Sequence, residues 1–284
     1  MTYFHSDHVH LIAEAGINHN GDIGLAKQLM LVAKNSGADS VKFQKRNPDI
    51  CVPEHQKSAL RETPWGEMTY LEYKWKIEFG LEEYREIDRY AKEIGIQWSA
   101  SAWDRDSLDF LGNFELPYHK VASALNTNLD FLRAVASTGK PVVLSTGMAT
   151  MEQIRMAIES VVDEASELVV LHTVSTYPAK EEDLNLKFIQ TLSKEFGVKT
   201  GYSGHEASLT PSLVAAVLGS QVIERHITLD RSMWGTDHAA SLEPEGLTRL
   251  ISMIRKVPVV LGTGEKFDIE EERAIAKKMR YWEE

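Results

Sequence analysis

Two lysines stand inside short apolar runs, where a charged side chain is costly to bury. Lys42 lies in SVKFQ and Lys120 lies in YHKVAS. A buried ammonium group requires an anionic or hydrogen-bonding partner. Two such lysines at equivalent positions of two strands therefore predict a shared anionic ligand. The alternative is structural, with both lysines forming salt bridges to inward carboxylates such as Glu14 and Glu224.

Three serines follow apolar runs in the same way. Ser123, Ser145 and Ser203 each end a run, and the small residues Ala122 and Gly147 lie close to them in the sequence. Hydroxyl groups, backbone amides and ammonium groups together bind phosphate well. Small neighbours let a ligand approach the backbone closely. The lysines and serines together predict a phosphate-binding site.

Two histidines, His205 and His226, end neighbouring apolar runs. Neutral imidazole is a frequent ligand of divalent transition metals. If the two runs form adjacent strands, both imidazoles meet at one edge of the sheet, and a metal site is predicted there. The alternative is that each histidine is a hydrogen-bonded part of the scaffold. Their spacing along the chain does not decide between these interpretations.

The fold that positions these residues can be predicted from the pattern of apolar residues along the chain. Short apolar runs alternate with amphipathic segments, which favours parallel strands covered by helices and an α/β fold, the (β/α)8 TIM barrel. The runner-up is an open doubly wound sheet, but the first strand is not followed by a G-x-G-x-x-G turn. The predicted strands are 10–16, 40–44, 96–101, 119–123, 141–146, 168–173, 198–203 and 222–227.

Apolar residues recur with the helical period between these strands. The predicted helices are one from Ala26 that ends at Gly37, one from Tyr84 that ends at Gly95, and others at 129–138, 151–163, 186–195, 208–219 and 245–256. We predict a single domain over 1–284. Two segments in it depart from the alternation of strands and helices. Residues 45–80 form a long, aromatic-rich insertion after strand two, either functional or a packed arm. Residues 264–284 predict a charged terminal helix packed on the barrel.

The barrel prediction gathers further polar residues. In this fold, side chains at the carboxyl ends of strands face the active site. Beyond the lysines, serines and histidines above, the rule selects Glu14, Asn18, His19, Gln44, Lys45, Arg46, Ser99, Ser101, Thr146, His172, Ser175, Tyr177 and Glu224.

Composition excludes several other classes of protein. The formal net charge is -11, which argues against a nucleic-acid partner and requires any anionic ligand to be held by local cations. No apolar run approaches the roughly 20 residues of a membrane span. Cys51 is the single cysteine, which fits a reducing cytoplasm, and the first residues do not read as a signal peptide.

Six motifs in this order resemble the barrel domain of the sialic acid (N-acetylneuraminate) synthase family, from about residue 9 to about residue 282. They are IAEAGINHNGD, VKFQ, STGMAT, STYPA, GYSGH, and ERHITLDR with GTDHAASLEP. The resemblance implies a cytoplasmic enzyme of carbohydrate biosynthesis, a transferase that condenses phosphoenolpyruvate with N-acetylmannosamine or a related aldose. The products would be a sialic-acid-like (nonulosonic) 3-deoxy-2-keto acid and phosphate. It also implies a divalent cation, most often Mn²⁺, with Mg²⁺ and Co²⁺ as alternatives.

The resemblance assigns roles to residues that match its motifs. It implies that His205 and His226 bind the metal and that Ser175 and Tyr177 contact the sugar. Glu14, Gln44 and Asp237 fall on catalytic positions. The residues implied to bind phosphoenolpyruvate are Lys42, Ser101, Lys120, Ser123, Ser145 and Ser203.

The sequence departs from the family pattern in ways that leave the acceptor open. Leu125 stands where an acidic residue is usual, and the small antifreeze-like domain that follows the barrel in typical bacterial members is not part of this sequence. One alternative is the same chemistry on a phosphorylated aldose, for which Arg46, Arg61, Arg105 and Arg231 are available. Another is a non-catalytic homologue that serves as a binding or assembly partner. Family barrels are commonly dimers, so a homodimer is also expected.

Overall fold

A computed structural model describes residues 2–282. In chain order the elements are β1 (His10–Gly16), α1 (Ile23–Ser36), β2 (Ser40–Lys45), α2 (Pro48–Cys51), α3 (Glu54–Lys57), β3 (Leu60–Thr63), β4 (Gly66–Thr69), α4 (Tyr70–Ile77), α5 (Leu81–Ile94), β5 (Gln97–Ala102), α6 (Arg105–Leu111), β6 (His119–Val121), α7 (Leu129–Ala136), β7 (Val142–Ser145), α8 (Met151–Glu159), β8 (Leu168–Thr173), α9 (Phe188–Phe196), β9 (Lys199–Gly204), α10 (Thr210–Val217), β10 (Val222–His226), α11 (Pro244–Leu261) and α12 (Glu270–Met279). Short 3-10 turns add Ser123–Leu125, Glu181–Asp183 and His238–Ala240.

Eight parallel strands close into a barrel in the order β1-β10-β9-β8-β7-β6-β5-β2. Helices follow the strands and bury their apolar faces on the outside of the sheet, as in a (β/α)8 barrel. The predicted fold is therefore confirmed, and the open doubly wound sheet is wrong. Each predicted strand lies within about two residues of the observed one, because a parallel strand buried on both faces is a nearly continuous apolar run.

Local signals fix where the helices begin and end. Asp22 caps α1, and its carboxylate accepts hydrogen bonds from the amides of Gly24 and Leu25 at 2.6 and 3.1 Å. Gly37 closes the same helix with a φ of 88°, a left-handed conformation that costs a glycine little. These ends set the length of the connection from α1 into β2, and so the height at which Lys42 stands in the barrel.

The register of the parallel strands brings distant residues to one level. Glu14 of β1 pairs with Lys42 of β2 on one side and with His226 of β10 on the other. Ser101 pairs with Lys120, and Ser203 pairs with Glu224. Because inward side chains from such pairs meet in the barrel, the register places these groups together at its carboxyl end.

The segment 45–80 is structured and lies beside the carboxyl end of the barrel. It contains α2, α3, the hairpin of β3 and β4, and α4. Tyr73 and Ile77 of α4 are buried against Ile17, which follows β1. Trp234 stacks edge-on against Tyr73, with ring centroids 5.1 Å apart. The aromatic residues of the segment therefore attach it to the loops that follow β1 and β10.

The terminal segment corrects one expectation. The helix there spans Glu270–Met279, and α12 contains no buried residue, so its predicted packing on the barrel is wrong. Residues 283–284 of the predicted segment lie outside the described residues. The charged sequence, with three glutamates in its first turn, has too few apolar residues for a buried face. Across residues 2–282, no helix has the length and apolar character that crossing a membrane requires.

The amino end of the barrel is closed by an aromatic cluster. Tyr3, Phe4, His10 and Tyr118 contact one another there, with ring centroids 4.7–6.0 Å apart. The His10 ring and the Tyr118 hydroxyl both hydrogen-bond Ser40 Oγ, at 3.0 and 2.8 Å. We call these five residues the floor cluster.

Candidate active site

A cavity of about 260 Å³ opens at the carboxyl end of the barrel. Twelve of the thirteen residues to which the resemblance assigns roles line it: Glu14, Lys42, Gln44, Ser101, Lys120, Ser123, Ser145, Ser175, Tyr177, Ser203, His205 and His226. Asp237 is the exception, and its carboxylate lies 3.8 Å from Nδ1 of His226. The structure thus brings all thirteen into one region at the barrel mouth.

Lys42 stands between two carboxylates. Its Nζ forms an ion pair with Glu14 and lies 3.7 Å from Oε2 of Glu224. The same Nζ donates a 2.8 Å hydrogen bond to Ser101 Oγ. Gln44 donates to Oε1 of Glu14 at 2.9 Å. The lysine is thereby held rigidly and aimed into the cavity.

Lys120 forms the matching half of the arrangement. Its Nζ donates to Ser145 Oγ at 2.8 Å and lies 3.4 Å from Oε1 of Glu224. Ser203 Oγ donates to the same carboxylate oxygen at 3.0 Å. Glu224 therefore lies between both lysines. The structural alternative considered from the sequence, salt bridges to Glu14 and Glu224, is present in this structure.

These pairings do not use all the capacity of the site. Oε2 of Glu224, which lies 3.7 Å from Nζ of Lys42, is buried and has no hydrogen-bond partner among the described residues. Burial raises the pKa of Glu14 to about 7, with Lys42 opposing the rise and Glu224 adding to it. Burial also opposes ionisation of Glu224, but Lys120 and Lys42 outweigh it and hold the pKa of that carboxyl below its usual range. The two lysines thus share one buried site with two carboxyl groups, and the pKa of Glu14 is raised while that of Glu224 is lowered.

The wall beside Lys120 has room only for small side chains. Ser123 Oγ accepts a 3.1 Å hydrogen bond from the amide of Gly147. A Cβ at residue 147 would lie 2.1 Å from Ser175 Oγ and 2.8 Å from Ser123 Oγ. Glycine is therefore required for the close approach of these two hydroxyls. Asn126 supports the same turn by donating to the carbonyl of Gly147 at 3.0 Å.

His205 has a defined tautomer. Its Nδ1 lies 2.7 Å from the carbonyl oxygen of Val174, which can only accept, so Nδ1 carries the proton and Nε2 keeps a lone pair. The hydroxyl of Tyr177 donates to that Nε2 at 2.8 Å. Burial, reinforced by His226, lowers the pKa of His205 to about 4 and keeps the imidazole neutral.

His226 completes the pair. The centroids of the two imidazole rings lie 5.5 Å apart. Burial lowers the pKa of His226, with Asp237 opposing, and its buried Nδ1 has no hydrogen-bond partner in the part of the chain that the structure describes. Burial opposes ionisation of Asp237 too, but His226 and the Thr236 hydroxyl hold the pKa of that carboxyl low.

The donor set fits a divalent cation that also binds water or substrate. Two neutral imidazoles are suitable ligands, although the Nε2 lone pair of His205 accepts a hydrogen bond from Tyr177, whose hydroxyl would have to turn away from a bound cation. Within residues 2–282 no group of three or more His, Cys, Asp or Glu side chains has metal-binding geometry. A cation at His205 and His226 would therefore keep several positions open.

Some residues of the site were missed by sequence reasoning. Trp103 and Met148 line the cavity, and Asn126 supports its wall. Glu224 was selected by the strand-end rule and as a salt-bridge partner but was given no role in the site, although a carboxylate inside the apolar run VIERHI is as unusual as a buried lysine. That signal could have identified it. Trp103 and Met148 follow strand ends, but nothing in their residue type points inward.

Comparison with known proteins gives the family. The NeuB family model matches residues 29–266, which is most of the chain. The chain belongs to the NeuB family. NeuB family synthases are enzymes that catalyse phosphoenolpyruvate-dependent condensation, so the chain is an enzyme and not a non-catalytic homologue.

Its relatives in the NeuB family differ in the acid that their names give as the product. N,N'-diacetyllegionaminic acid synthase of Legionella pneumophila is 38% identical over 281 residues, 95% of this chain and 78% of the relative. N-acetylneuraminate-9-phosphate synthase of Homo sapiens is 39% identical over 276 residues, 95% and 76% of the two chains. The crystal structure of an N-acetylneuraminic acid synthetase from Leptospira borgpetersenii in complex with citrate superposes with a TM-score of 0.84 at 30% identity, covering 97% of this chain and 94% of that one.

Proposed function

We propose that this protein condenses phosphoenolpyruvate with an N-acylated aldose, N-acetylmannosamine or a related sugar, to give a nonulosonic 3-deoxy-2-keto acid and phosphate. The observation that carries the proposal is the set of Lys42, Lys120 and four serine hydroxyls around one cavity. The relatives named above are synthases of such acids. Their names differ in the acid that is made. They therefore support the type of reaction but do not identify the acceptor sugar.

Phosphoenolpyruvate would bind through its phosphate and carboxylate groups to the two lysines and to the serines. Each ammonium group has three donors, and Lys42 and Lys120 stand within 2.8 Å of a serine hydroxyl that can turn toward an anion. The serines of this set are Ser101, Ser123, Ser145 and Ser203. Charge-assisted hydrogen bonds of this kind stabilise a bound anion by about 1.5–3 kcal/mol each.

The acceptor would lie on the histidine side of the cavity. Ser175 and Tyr177 line this side and would orient the open-chain sugar. C3 of phosphoenolpyruvate would attack the aldehyde carbon, water would add at C2, and phosphate would leave with the C2 oxygen. Glu14, Gln44 and Asp237 are the groups we assign to the charge that develops and to the proton of the water.

His205 and His226 would hold a divalent cation, for which Mn²⁺ is the first choice and Mg²⁺ or Co²⁺ are alternatives. Such a cation acts as a Lewis acid on a carbonyl oxygen. Burial keeps both imidazoles neutral, which is the form that binds metal. The chain itself contributes the orientation of His205, since the carbonyl of Val174 fixes its tautomer.

Phosphate release tests the proposal. The protein is incubated with phosphoenolpyruvate, Mn²⁺ and one sugar at a time: N-acetylmannosamine, its 6-phosphate, diacetamido hexoses and simple phosphorylated aldoses. A parallel set contains a chelator. We expect chelator-sensitive release with at least one sugar, and release with none of them would contradict the proposal. A homodimer, a single domain over 1–284 and a cytoplasmic location remain expectations.

A further inference from the structure

A second cavity, of about 180 Å³, adjoins the catalytic one. Trp103 lines both cavities. Arg46 lines the second cavity, its guanidinium stacks 3.9 Å from the centroid of the Trp103 ring, and its Nη2 donates to Gln44 of the catalytic cavity. The two cavities are therefore connected by side chains that contact both.

The second cavity is rich in cations that have no anionic partner. Arg46 and Lys74 line it, and Arg61, which lines a different cavity, stacks on the lining residue Tyr70, 4.1 Å from the ring centroid. None of the three forms a salt bridge with another residue of 2–282. Glu78 also lines the cavity, but its carboxylate is bound by Lys45 at 2.8 Å and by the amide of Arg46 at 3.2 Å.

Two buried donors there have no acceptor. Nε of Arg46 and Nε1 of Trp103 are both fully covered, and neither has a hydrogen-bond partner among the described residues. Leaving a buried donor unpaired is costly, and most costly when the group is charged. A shift of the Arg46–Trp103 stack toward an anion in the cavity would give these donors the acceptors that they lack.

The electrostatics of Lys74 agree with this geometry. Burial, together with the nearby charges of Arg46 and Arg61, lowers the pKa of Lys74 to about 8, and Asp237 and Glu78 only partly oppose this. Positive charges crowd together here in a chain whose net charge is -11. A dianion would relieve that repulsion.

We propose that Arg46, Lys74 and Arg61 form a second anion-binding site, which takes a phosphate monoester on the acceptor sugar at the end remote from its aldehyde. The inference rests on the proposed function, because it assigns the class of acceptor for that reaction. In the proposed function Lys42 and Lys120 would bind the anionic groups of phosphoenolpyruvate in the catalytic cavity, so the second site is separate from them. Gln44, bound both to Glu14 and to Arg46, lies between the two sites.

Acceptor selectivity tests the inference. At saturating phosphoenolpyruvate, kcat/KM is measured for an N-acylhexosamine 6-phosphate and for the same sugar without phosphate. We expect the wild-type protein to favour the phosphorylated sugar by about 100-fold or more, the combined effect of several charge-assisted contacts. Lys74→Met should lower kcat/KM for the phosphorylated sugar by about 30-fold and leave the neutral sugar within about twofold.

Lys76→Met is the matched control. Lys76 lies on the same helix, but its Nζ stands over the Trp65 ring, outside the second cavity. It should leave both acceptors unchanged. The inference is overturned if the wild-type protein uses the neutral sugar as well as the phosphorylated one, or if Lys74→Met slows both equally.

Calorimetry with an unreactive analogue separates this inference from the proposed function. A hexitol 6-phosphate, which has no aldehyde, should bind the wild-type protein at least about tenfold more tightly than the hexitol or inorganic phosphate, and Lys74→Met should remove that advantage. Turnover of neutral sugars alone would sink the inference and keep the proposed function. If no sugar were turned over but the hexitol phosphate still bound, the proposed function would fail and the second anion-binding site would stand. Equal binding of inorganic phosphate would reduce the site to a general anion site and overturn the assignment of the acceptor.

Discussion

The two ends of the barrel bury polar groups in different ways. At the floor cluster, His10, Ser40 and Tyr118 form a closed chain of hydrogen bonds. At the mouth, Glu224 and His226 each keep a buried polar atom without a hydrogen-bond partner, while no member of the floor cluster does so among the described residues.

The difference follows from what each end must do. The floor seals the barrel, and its polar atoms are satisfied within the protein, so it needs no ligand. The mouth carries two lysines, two carboxylates and two neutral imidazoles whose hydrogen-bonding capacity is left partly free. Unpaired buried polar atoms are costly, so a cluster of them marks a place where a ligand completes the network.

Loss of one imidazole at the mouth should have the largest effect. His226→Ala removes one of two proposed metal ligands, and we expect activity and Mn²⁺ affinity to fall by at least about 100-fold with the fold intact. Activity is followed as phosphate release, metal binding by calorimetry and folding by circular dichroism.

A buried histidine outside the cavity serves as the control for that variant. His172 hydrogen-bonds the carbonyl of Leu184 at 2.5 Å and does not line the cavity. His172→Gln should keep its Mn²⁺ affinity and its turnover. Wild-type metal affinity in the His226→Ala protein would remove the metal assignment.

Substitution of Lys120 separates its two roles. Lys120→Met leaves Glu224 buried with one lysine in place of two, which should reduce the free energy of unfolding by about 3–5 kcal/mol. It should also lower kcat/KM for phosphoenolpyruvate by about 10- to 100-fold through loss of a charge-assisted contact. Chemical denaturation and initial rates measure the two effects.

A second substitution shows which effect belongs to the ligand. Adding Glu224→Gln to Lys120→Met removes the uncompensated carboxylate, so we expect most of the lost stability to return and the defect with phosphoenolpyruvate to remain. If kcat/KM recovered together with stability, Lys120 would be structural.

His10 of the floor cluster should make the free energy of unfolding depend on pH. Burial lowers the pKa of His10 to about 4, whereas in the unfolded chain the group titrates near 6.5. The unfolded chain therefore binds more protons between these pH values. The contribution is fully present above pH 6.5 and is lost as the pH falls toward 4, by as much as about 3 kcal/mol.

Denaturant titrations across that pH range measure the effect of His10. His10→Gln, which cannot take up the proton, should give a shallower loss of stability between pH 6.5 and 4. His19 and His119 also have lowered pKa values for reasons of burial, so part of the slope should persist. An unchanged slope in the variant would show that His10 is not held neutral by the floor cluster.

The smallest effect is expected at the exposed terminal helix. Ala274→Pro should unwind α12 locally but change the free energy of unfolding by less than about 0.5 kcal/mol, because the helix buries no residue. Ala157→Pro, in the buried face of α8, should cost about 3 kcal/mol or more. Thermal unfolding compares the two, and a large loss from Ala274→Pro would mean that α12 is bound to the rest of the protein.

The barrel strands could be predicted because each is a short, nearly continuous apolar run. The hairpin of β3 and β4 was missed, since its strands are exposed or half-buried and lack apolar alternation. Helix α6 was missed because seven residues carry little periodicity. Patterns of apolar residues predict an element when it is buried. They do not predict elements that are short or exposed.

The site was predictable wherever the residue type conflicts with burial. Lys42 and Lys120 stand out in apolar strands, and the strand-end rule brings the serines and histidines to them. Arg46 was named from the sequence as a candidate for binding a phosphorylated acceptor, but its grouping with Lys74 could not be foreseen, because it depends on how the 45–80 segment folds beside the mouth. Leu125, which replaces a usual acidic residue, is half-buried and packs against the core, where a carboxylate would find little solvent.

The most direct test of the account follows the bridging oxygen of phosphoenolpyruvate. The protein is supplied with phosphoenolpyruvate labelled with ¹⁸O between C2 and phosphorus, together with Mn²⁺ and the best acceptor sugar, and both products are analysed by mass spectrometry. Attack by C3, followed by addition of water at C2, predicts one labelled phosphate for each keto acid formed. Label retained in the keto acid, or phosphate released without consumption of the sugar, would contradict the proposed reaction at this site.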